Sequence, residues 1–257
     1  MAVIISVSNR KGGTGKTTTV VNLAAELSSR GRKVLVIDLD SQAHATLGLG
    51  FSFSLDHKTI HDLFLNPNFD VDSCLYSTKW NGLFLMPANY SFEHSSIMGD
   101  SRLLKEALIK SRFLKDFDFV IIDTPPSLDA LLLNALTVSD FLLIPFLPHF
   151  LSAEGIISLA KTFLRIVIKD NPSLKLLGFV PIMVNSRVQH HKCILKRIAD
   201  EYGKDKILPQ IRMDIKLVEA FESKSPIKFY APRSKGAMDY KYLTDEVLKV
   251  IARKASL

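Results

Sequence analysis

The chain of 257 residues is poor in cysteine and has no long hydrophobic run. Its two cysteines, Cys74 and Cys193, are too few for a disulfide framework and lack the spacing of metal ligands. No apolar run approaches the roughly 20 residues that a membrane-spanning helix needs. No positive region precedes the apolar stretch at the N-terminus, so we interpret Val3–Val7 as a first strand and not as a signal peptide. These absences predict a protein of the reducing cytoplasm, without stable insertion into a membrane.

Negative charge is scarce in the last third of the sequence. Residues 175–257 contain 17 Lys and Arg against 9 Asp and Glu, a net charge of +8, whereas residues 1–174 contain 16 against 17. Such asymmetry indicates either a polyanionic partner or a basic surface that serves solubility. The basic region shows no helix-turn-helix, zinc-finger or stacking-aromatic pattern, so contact with phosphates is favoured over reading of bases.

The sequence also lacks internal repeats, low-complexity tracts and linkers, which predicts one domain over residues 1–257. Continuous apolar runs alternate with helical patterns, as in parallel sheets that are covered on both faces. The predicted strands are Val3–Val7, Val34–Ile37, Leu83–Met86, Phe119–Ile122, Phe141–Ile144 and Leu176–Val184. The predicted helices are Lys16–Ser29, Arg102–Leu114, Leu128–Val138, Ser152–Ile168, His190–Tyr202 and Tyr240–Ala252. The fold class expected is α/β, with a doubly wound and mostly parallel sheet.

A glycine-rich segment follows the first predicted strand. It reads Lys11-Gly12-Gly13-Thr14-Gly15-Lys16-Thr17-Thr18. A strand, loop and helix of this kind surround phosphate oxygens with backbone N–H groups, and we predict that all eight residues bind the nucleotide. Lys16 is expected to reach the β- and γ-phosphates, and Thr17 to ligate Mg²⁺. Arg10 stands where the usual P-loop has glycine, so the segment is a variant of that motif.

Carboxylates follow two other predicted strands. Asp38 and Asp40 come after one strand with a spacing of two, which puts both on one side of an extended chain. Asp123 ends another apolar strand, which is the Walker B arrangement, in which the carboxylate holds Mg²⁺, usually through water. Because ligands bind beyond the carboxyl ends of parallel strands, the sequence predicts a site for ATP and Mg²⁺ at this edge.

These segments resemble the deviant Walker A motif and its companion motifs in the ParA/MinD superfamily. The resemblance extends from about Val3 to Ile251, and residues 219–237 resemble the C-terminal signature of the family. It implies a P-loop NTPase fold of the deviant Walker A type and Mg²⁺-dependent hydrolysis of ATP.

The resemblance also implies roles for individual residues. Lys11 is the signature lysine, which in this family reaches across a nucleotide-sandwich dimer to the phosphates of the partner. Asp40 orients or activates the attacking water, and Asp38 lies near the metal. The expected catalytic residues are therefore Lys11, Lys16 and Asp40. Asn185 stands where relatives of the MinD kind place an asparagine on adenine; an asparagine that caps a helix or turns the loop is the alternative.

The chain departs from the family pattern at several positions near the site. After the second strand the family reads Asp-x-Asp-Pro-Gln-Gly-Asn-Ala-Thr, whereas this chain has Ser41, Ala43 and His44. Leu147 and His149 stand where the family has glutamine and glutamate. We expect these changes to alter the rigidity of the loop after the second strand and the contacts made near Leu147.

In the family, the basic last third carries arginines for nonspecific DNA binding. The register of the C-terminal signature places Arg187 and Lys216 at those positions, and Lys192, Lys196 and Lys224 extend the predicted patch. A lysine serves as a point charge toward phosphate. For any one of these lysines, an exposed charge that only interacts with solvent is an equally good interpretation.

The function implied by the resemblance is ATP-driven positioning of a cellular cargo. ATP closes a homodimer, the dimer binds nucleoid DNA nonspecifically, and a ParB-like or other cargo-linked protein stimulates hydrolysis and release. The cargo, whether chromosome, plasmid or another cellular body, is not identified by the sequence.

Two other classes of protein share these motifs. A membrane-associated spatial regulator of the MinD kind needs a C-terminal amphipathic membrane helix. The terminal segment from Leu243 has no Phe or Trp and carries Asp245 and Glu246, which anionic lipid disfavours. A redox enzyme of the nitrogenase-iron-protein type needs paired cluster cysteines, which Cys74 and Cys193 do not match.

Overall fold

The computed structural model describes residues 2–52, 54, 56–92, 100–185 and 187–255, apart from the side chains of residues 150–154 and 255. Within these ranges, seven strands form one sheet. The strands are β1 (Val3–Val7), β2 (Val34–Asp38), β3 (Tyr76–Ser77), β4 (Leu83–Met86), β5 (Phe119–Asp123), β6 (Phe141–Phe146) and β7 (Lys175–Pro181). The helices are α1 (Lys16–Ser29), α2 (His44–Gly48), α3 (Asp62–Leu65), α4 (Leu103–Lys110), α5 (Ala130–Val138), α6 (Phe150–Lys169), α7 (Gln189–Tyr202), α8 (Ile215–Glu222), α9 (Ile227–Tyr230) and α10 (Lys235–Ala255).

The sheet is mostly parallel, as the alternation of apolar runs and helices predicts. Its strand order is β3-β4-β2-β5-β1-β6-β7, and β3 is the antiparallel edge strand. Every other neighbouring pair is parallel. The doubly wound α/β fold class is confirmed.

Helices cover both faces of the sheet, because successive side chains of a strand point to opposite sides. In β2, Val34 and Val36 pack in one core cluster with residues of α1 and α10, whereas Leu35 and Ile37 pack in a second cluster with residues of α3 and α4. A third cluster joins β6 to residues of α5, α6 and α7. Burial on both faces explains why these strands are continuous apolar runs in the sequence.

The register of the central strands brings the predicted site together. Val7 is level with Asp123 across β1 and β5, and Asp38 is level with Asp123 across β2 and β5. The loop after β1, which contains the glycine-rich segment, therefore begins at the level of both carboxylates. The predicted site therefore lies at the aligned carboxyl ends of β1, β2 and β5.

Several predicted boundaries are wrong. The strand expected to reach Val184 ends at Pro181, and Val184 forms an isolated bridge with Arg212. The helix expected over Arg102–Leu114 ends at Lys110, because the hydroxyl of Ser111 bonds to the Asp72 carboxylate in a turn. The last helix begins at Lys235, five residues before its predicted start. The short elements β3, α2, α3, α8 and α9 were not predicted, since none is long enough to show a periodic pattern.

The C-terminal third packs against the helix that begins at the P-loop. α10 lies along α1, and Asn22 of α1 accepts a hydrogen bond from the Ile227 backbone N–H at 2.8 Å. Lys228 pairs with the buried Glu26 carboxylate at 3.2 Å, and Trp80 stacks on Phe229 with ring centroids 5.5 Å apart. Within the described residues, no helix is both long and apolar enough to cross a membrane.

Candidate functional site

The glycine-rich loop has a conformation that glycine favours. Gly13 and Gly15 have φ of 71° and 72°, in the left-handed region, where a side chain is strained. A side chain at Gly15 would also collide with Ile182, which follows β7. The loop leads directly into α1, whose first residue is Lys16. Backbone N–H groups and a helix N-terminus thus converge where the sequence predicts phosphates.

The start of the loop is fixed to the neighbouring strand and helix. Asn9 donates from its side-chain amide to the Pro145 carbonyl at 2.8 Å and accepts from the Lys11 backbone N–H at 3.0 Å. The Arg10 guanidinium donates to the hydroxyl of Ser158 in α6. A Cβ atom at Gly155 of α6 would lie 3.1 Å from the Asn9 Oδ1 atom. The hydrogen bond of Asn9 to β6 and that of Arg10 to α6 therefore restrain the two residues that precede Lys11, and Asn9 also bonds to the Lys11 backbone.

Lys16 lies inside a cluster of carboxylates. Its side chain is buried, and burial lowers its pKa, although the nearby Asp123 and Asp40 oppose that shift. The Thr17 hydroxyl donates to the Asp123 Oδ2 atom at 2.7 Å. Burial raises the pKa of Asp123 well above its usual range, and the neighbouring Asp38 raises it further. Such perturbed groups, gathered at strand ends, are typical of a functional site.

The two other carboxylates have different surroundings. Asp38 is fully buried; its Oδ2 atom accepts from the backbone N–H and the hydroxyl of Thr46, and its Oδ1 atom accepts from the Asp40 N–H at 3.2 Å. Burial raises the pKa of Asp38 to about 7. The Asp40 Oδ1 atom accepts from the Gln42 backbone N–H at 3.0 Å. Asp38 thus orders the loop after β2, and its place near the metal stays a prediction.

The residues present fit a magnesium ion. The Asp123 Oδ1 atom is buried and has no hydrogen-bond partner among the residues that the structure describes, next to an oxygen that already accepts from Thr17. A buried carboxylate oxygen without a partner is costly unless a ligand satisfies it. In the described part of the chain, no three His, Cys, Asp or Glu side chains converge as a metal site. Thr17 and Asp123 would therefore share Mg²⁺ with phosphate oxygens and water, as is common for this ion.

One of the residues near Asp40 that differ from the family pattern has a strained backbone. Ala43 is 1% exposed and has φ of 52°, in the left-handed region, at the position where the family pattern has glycine. Its N–H donates to the Asp40 carbonyl at 2.8 Å, which closes the turn before α2. His44 packs edge-on to Phe221 at 6.1 Å. The loop after β2 therefore keeps a glycine-like turn without glycine.

Replacing Ala43 by glycine is expected to leave the free energy of unfolding within about 0.5 kcal/mol of wild type. Removal of the Cβ atom relieves left-handed strain of about 1–2 kcal/mol, whereas the loss of a buried methyl group, about 0.8 kcal/mol, and the greater freedom of glycine in the unfolded chain offset this gain. Urea denaturation of wild type and Ala43→Gly measures the difference. Ala45→Gly, inside α2, is the control and should be destabilising; a loss of stability in both variants would contradict strain at Ala43.

A cavity of about 610 Å³ opens beside the P-loop. Gly15 and Thr18 line one side, and residues after β7 and in α8, including Ile182, Met183 and Phe221, line the other. The sequence did not predict this cavity, because Ile182, Met183 and Phe221 belong to none of the nucleotide motifs and reach the P-loop only through the fold. Asn185 is exposed, and its Oδ1 atom accepts from the Arg187 N–H at 3.0 Å. The asparagine therefore makes a loop turn, which was the alternative interpretation, and its contact with adenine stays a prediction.

The predicted DNA-binding residues all lie on the surface. Arg187 follows β7, Lys192 and Lys196 lie on α7, and Lys216 and Lys224 lie in and after α8. The bridge between Val184 and Arg212 brings together the segments that lead to Arg187 and Lys216. The Lys216 ammonium pairs with the Glu219 carboxylate at 2.6 Å, and this contact raises the pKa of Lys216.

Comparisons with known proteins agree with this geometry. A family described as an AAA domain matches residues 2–176. Soj, a sporulation initiation inhibitor protein of Bacillus subtilis, is 34% identical over 96% of this chain and 98% of its own. The chromosome partitioning protein ParA of Myxococcus xanthus is 34% identical over 96% of this chain and 88% of its own. The structure of MinD from Pyrococcus horikoshii, complexed with Mg-ADP, is 27% identical and matches all of both chains with a TM-score of 0.79.

The matches extend over nearly the whole chain, and the fold and the variant P-loop agree with them. On these grounds the chain belongs to the ParA/MinD superfamily of P-loop ATPases.

Proposed function

We propose that this ATPase positions a cellular cargo by an ATP-gated cycle of dimerisation and DNA binding. ATP and Mg²⁺ are its cofactors, and hydrolysis is its reaction. Lys16 holds the β- and γ-phosphates, Thr17 and Asp123 hold Mg²⁺, and Asp40 orients the attacking water. When bound, Mg²⁺ neutralises charge on the phosphates. The adenine base occupies the cavity beside Gly15 and Thr18.

The observation that carries the proposal is the contrast between the two lysines of the loop. Lys16 is buried beside Asp123 and Asp40, whereas Lys11 is half-buried and its ammonium has no hydrogen bond or ion pair among the described residues. The Lys11 backbone N–H is bonded to Asn9, so the side chain of Lys11 begins at a fixed position outside its own carboxylate cluster. A cation available in trans would make hydrolysis depend on a second subunit.

The exposed basic residues support the proposed binding of the dimer to DNA. Residues 175–257 carry a net charge of +8, which lies outside the nucleotide motifs. Single lysines bind phosphate weakly, so a dimer that doubles the patch binds DNA far better than a monomer. A ParB-like or other cargo-linked protein would then stimulate hydrolysis and release the dimer from the nucleoid.

DNA binding is expected to require ATP, to ignore sequence and to weaken steeply with salt. Each neutralised phosphate adds about 0.9 to the slope of log affinity against log salt. Fluorescence anisotropy with two unrelated duplexes, with ADP or a nonhydrolysable ATP analogue, measures this over a salt series. Charge reversal at Arg187 or Lys216 should weaken binding to both duplexes equally and leave ATP binding intact.

Two further variants complete this experiment. Lys11→Ala should bind the ATP analogue yet stay monomeric in light scattering and lose the ATP-dependent gain in DNA affinity. Lys110→Glu, on the exposed end of α4, is the matched charge control and should bind DNA as wild type does. Equal affinity for DNA with the ATP analogue and with ADP would contradict the gating.

A further inference from the structure

The loop that carries Asp40 is held from outside the nucleotide motifs. Leu39, between the two aspartates, donates its N–H to the Asp123 carbonyl at 2.9 Å. Its carbonyl lies 3.2 Å from the Nε2 atom of His61, a buried residue immediately before α3. The residue that precedes Asp40 is thus bonded through its N–H to β5 and through its carbonyl to a histidine.

The partners of His61 define its protonated nitrogen. The Nδ1 atom accepts from the Asn89 backbone N–H at 3.0 Å, so the proton lies on Nε2 and is donated to the Leu39 carbonyl. The Phe92 ring stacks on the imidazole, with centroids 4.2 Å apart and planes 20° apart. The ring therefore bridges the loop after β2 and the loop after β4, with its orientation set by stacking.

Thr46 makes a second bridge between the same two loops. Its hydroxyl donates to the Asp38 Oδ2 atom at 2.7 Å and accepts from the Ala88 backbone N–H at 3.1 Å. Asp38 in turn accepts from the Asp40 N–H. Ala88 and Asn89 are consecutive, so one short segment after β4 donates both of the N–H groups that these bridges use.

We propose that His61 and Thr46 are positioning residues that hold the Asp40 carboxylate in place for hydrolysis. This rests on the proposed role of Asp40. The two bridges restrain Asp38 and Leu39, the two residues that directly precede Asp40, against a segment after β4 that belongs to none of the nucleotide motifs. A displacement of about 1 Å in a catalytic group costs roughly a hundredfold in rate, so the restraint acts on turnover.

The test separates hydrogen bonding from packing at His61. His61→Phe keeps a ring that can stack on Phe92 and removes both hydrogen bonds, so kcat is expected to fall about 10- to 100-fold while the Kd for ATP changes less than threefold. His61→Gln retains an amide that can donate to the Leu39 carbonyl and should recover part of the lost kcat. Turnover is measured well below the melting temperature of each variant.

Variants of Thr46 give an independent test of the proposal if either His61 variant fails to fold. Thr46→Val should lower kcat without weakening ATP binding, and Thr46→Ser should restore it. The matched control is Thr137→Val, because Thr137 is buried in α5 and its hydroxyl has no hydrogen-bond partner in the described part of the chain. That variant should turn over ATP as wild type does.

Asp40→Ala distinguishes a failure of the proposed role of Asp40 from a failure of the positioning role of His61 and Thr46. If Asp40→Ala still hydrolyses ATP, the proposed role of Asp40 is wrong. If Asp40→Ala is inactive but the folded His61→Phe or Thr46→Val protein keeps kcat within twofold of wild type, the positioning role is overturned. A loss of ATP binding parallel to the loss of kcat would also overturn it, because it would indicate a general disruption of the site.

Discussion

Replacing Lys16 by alanine is expected to weaken ATP binding by at least about a hundredfold. Each hydrogen bond from a charged group contributes about 1.5–3 kcal/mol, and two bonds to phosphate oxygens therefore account for about 3 kcal/mol or more, since 1.4 kcal/mol is tenfold. Lys16 is also the cation that faces Asp123 and Asp40. Without it, Mg²⁺ alone would supply positive charge between the phosphates and these carboxylates. Titration with a fluorescent ATP analogue measures the effect.

Two controls define what a loss of binding means. Lys110→Ala removes an exposed lysine of α4 and should leave the affinity unchanged. Thermal melting of each variant without nucleotide shows whether the fold survives, since Lys16 lies in a packed site. An affinity within threefold of wild type in folded Lys16→Ala protein would refute the assignment of Lys16 to the phosphates.

Replacing Asp123 by asparagine is expected to remove the dependence of ATP binding on Mg²⁺ and to stabilise the ligand-free protein at pH 8. Asn keeps an acceptor for the Thr17 hydroxyl but carries no charge, so it neither attracts the cation nor leaves a buried charged oxygen without a partner. The gain in the free energy of unfolding is about 2 kcal/mol, reduced by the lost attraction to Lys16.

The pH dependence of this gain follows from the raised pKa of Asp123. A carboxyl group whose pKa is higher in the folded protein stabilises the fold while it is protonated, and this contribution is lost as pH rises through the folded pKa. The advantage of Asp123→Asn should therefore grow as pH rises above the ordinary range for aspartate. Urea denaturation between pH 4 and 8 measures it, with exposed Asp116→Asn as the control. An unchanged response of ATP affinity to Mg²⁺ would refute the metal role.

The sequence predicted the elements whose conformation depends on residues that are close together in the chain. The glycine-rich loop depends on backbone freedom at Gly13 and Gly15, and the central strands are buried on both faces, so both appear as short continuous patterns. Asp123 was predicted for the same reason, since it ends an apolar strand beside that loop.

Contacts between distant segments were not predictable. His61 reaches Leu39 and Asn89 from the position immediately before a four-residue helix, and the cavity beside Thr18 is closed by Met183 and Phe221 from different segments. Neither arrangement leaves a periodic pattern or a motif. The end of β7 was misplaced because Val184 and Ile182 are buried outside a strand, and burial alone does not distinguish strand from loop.

Trp80, which stacks on Phe229, is an intrinsic fluorescence probe of this protein. The sequence contains one tryptophan, so emission excited at wavelengths that its six tyrosines do not absorb comes from a single indole. That indole lies between the turn before β4 and helix α9, with the Lys79 ammonium 4.7 Å from its ring centre. A nucleotide that shifts α9 relative to the sheet would change both the stacking and the nearby charge. The emission of unlabelled protein would therefore report any such movement of α9 during turnover.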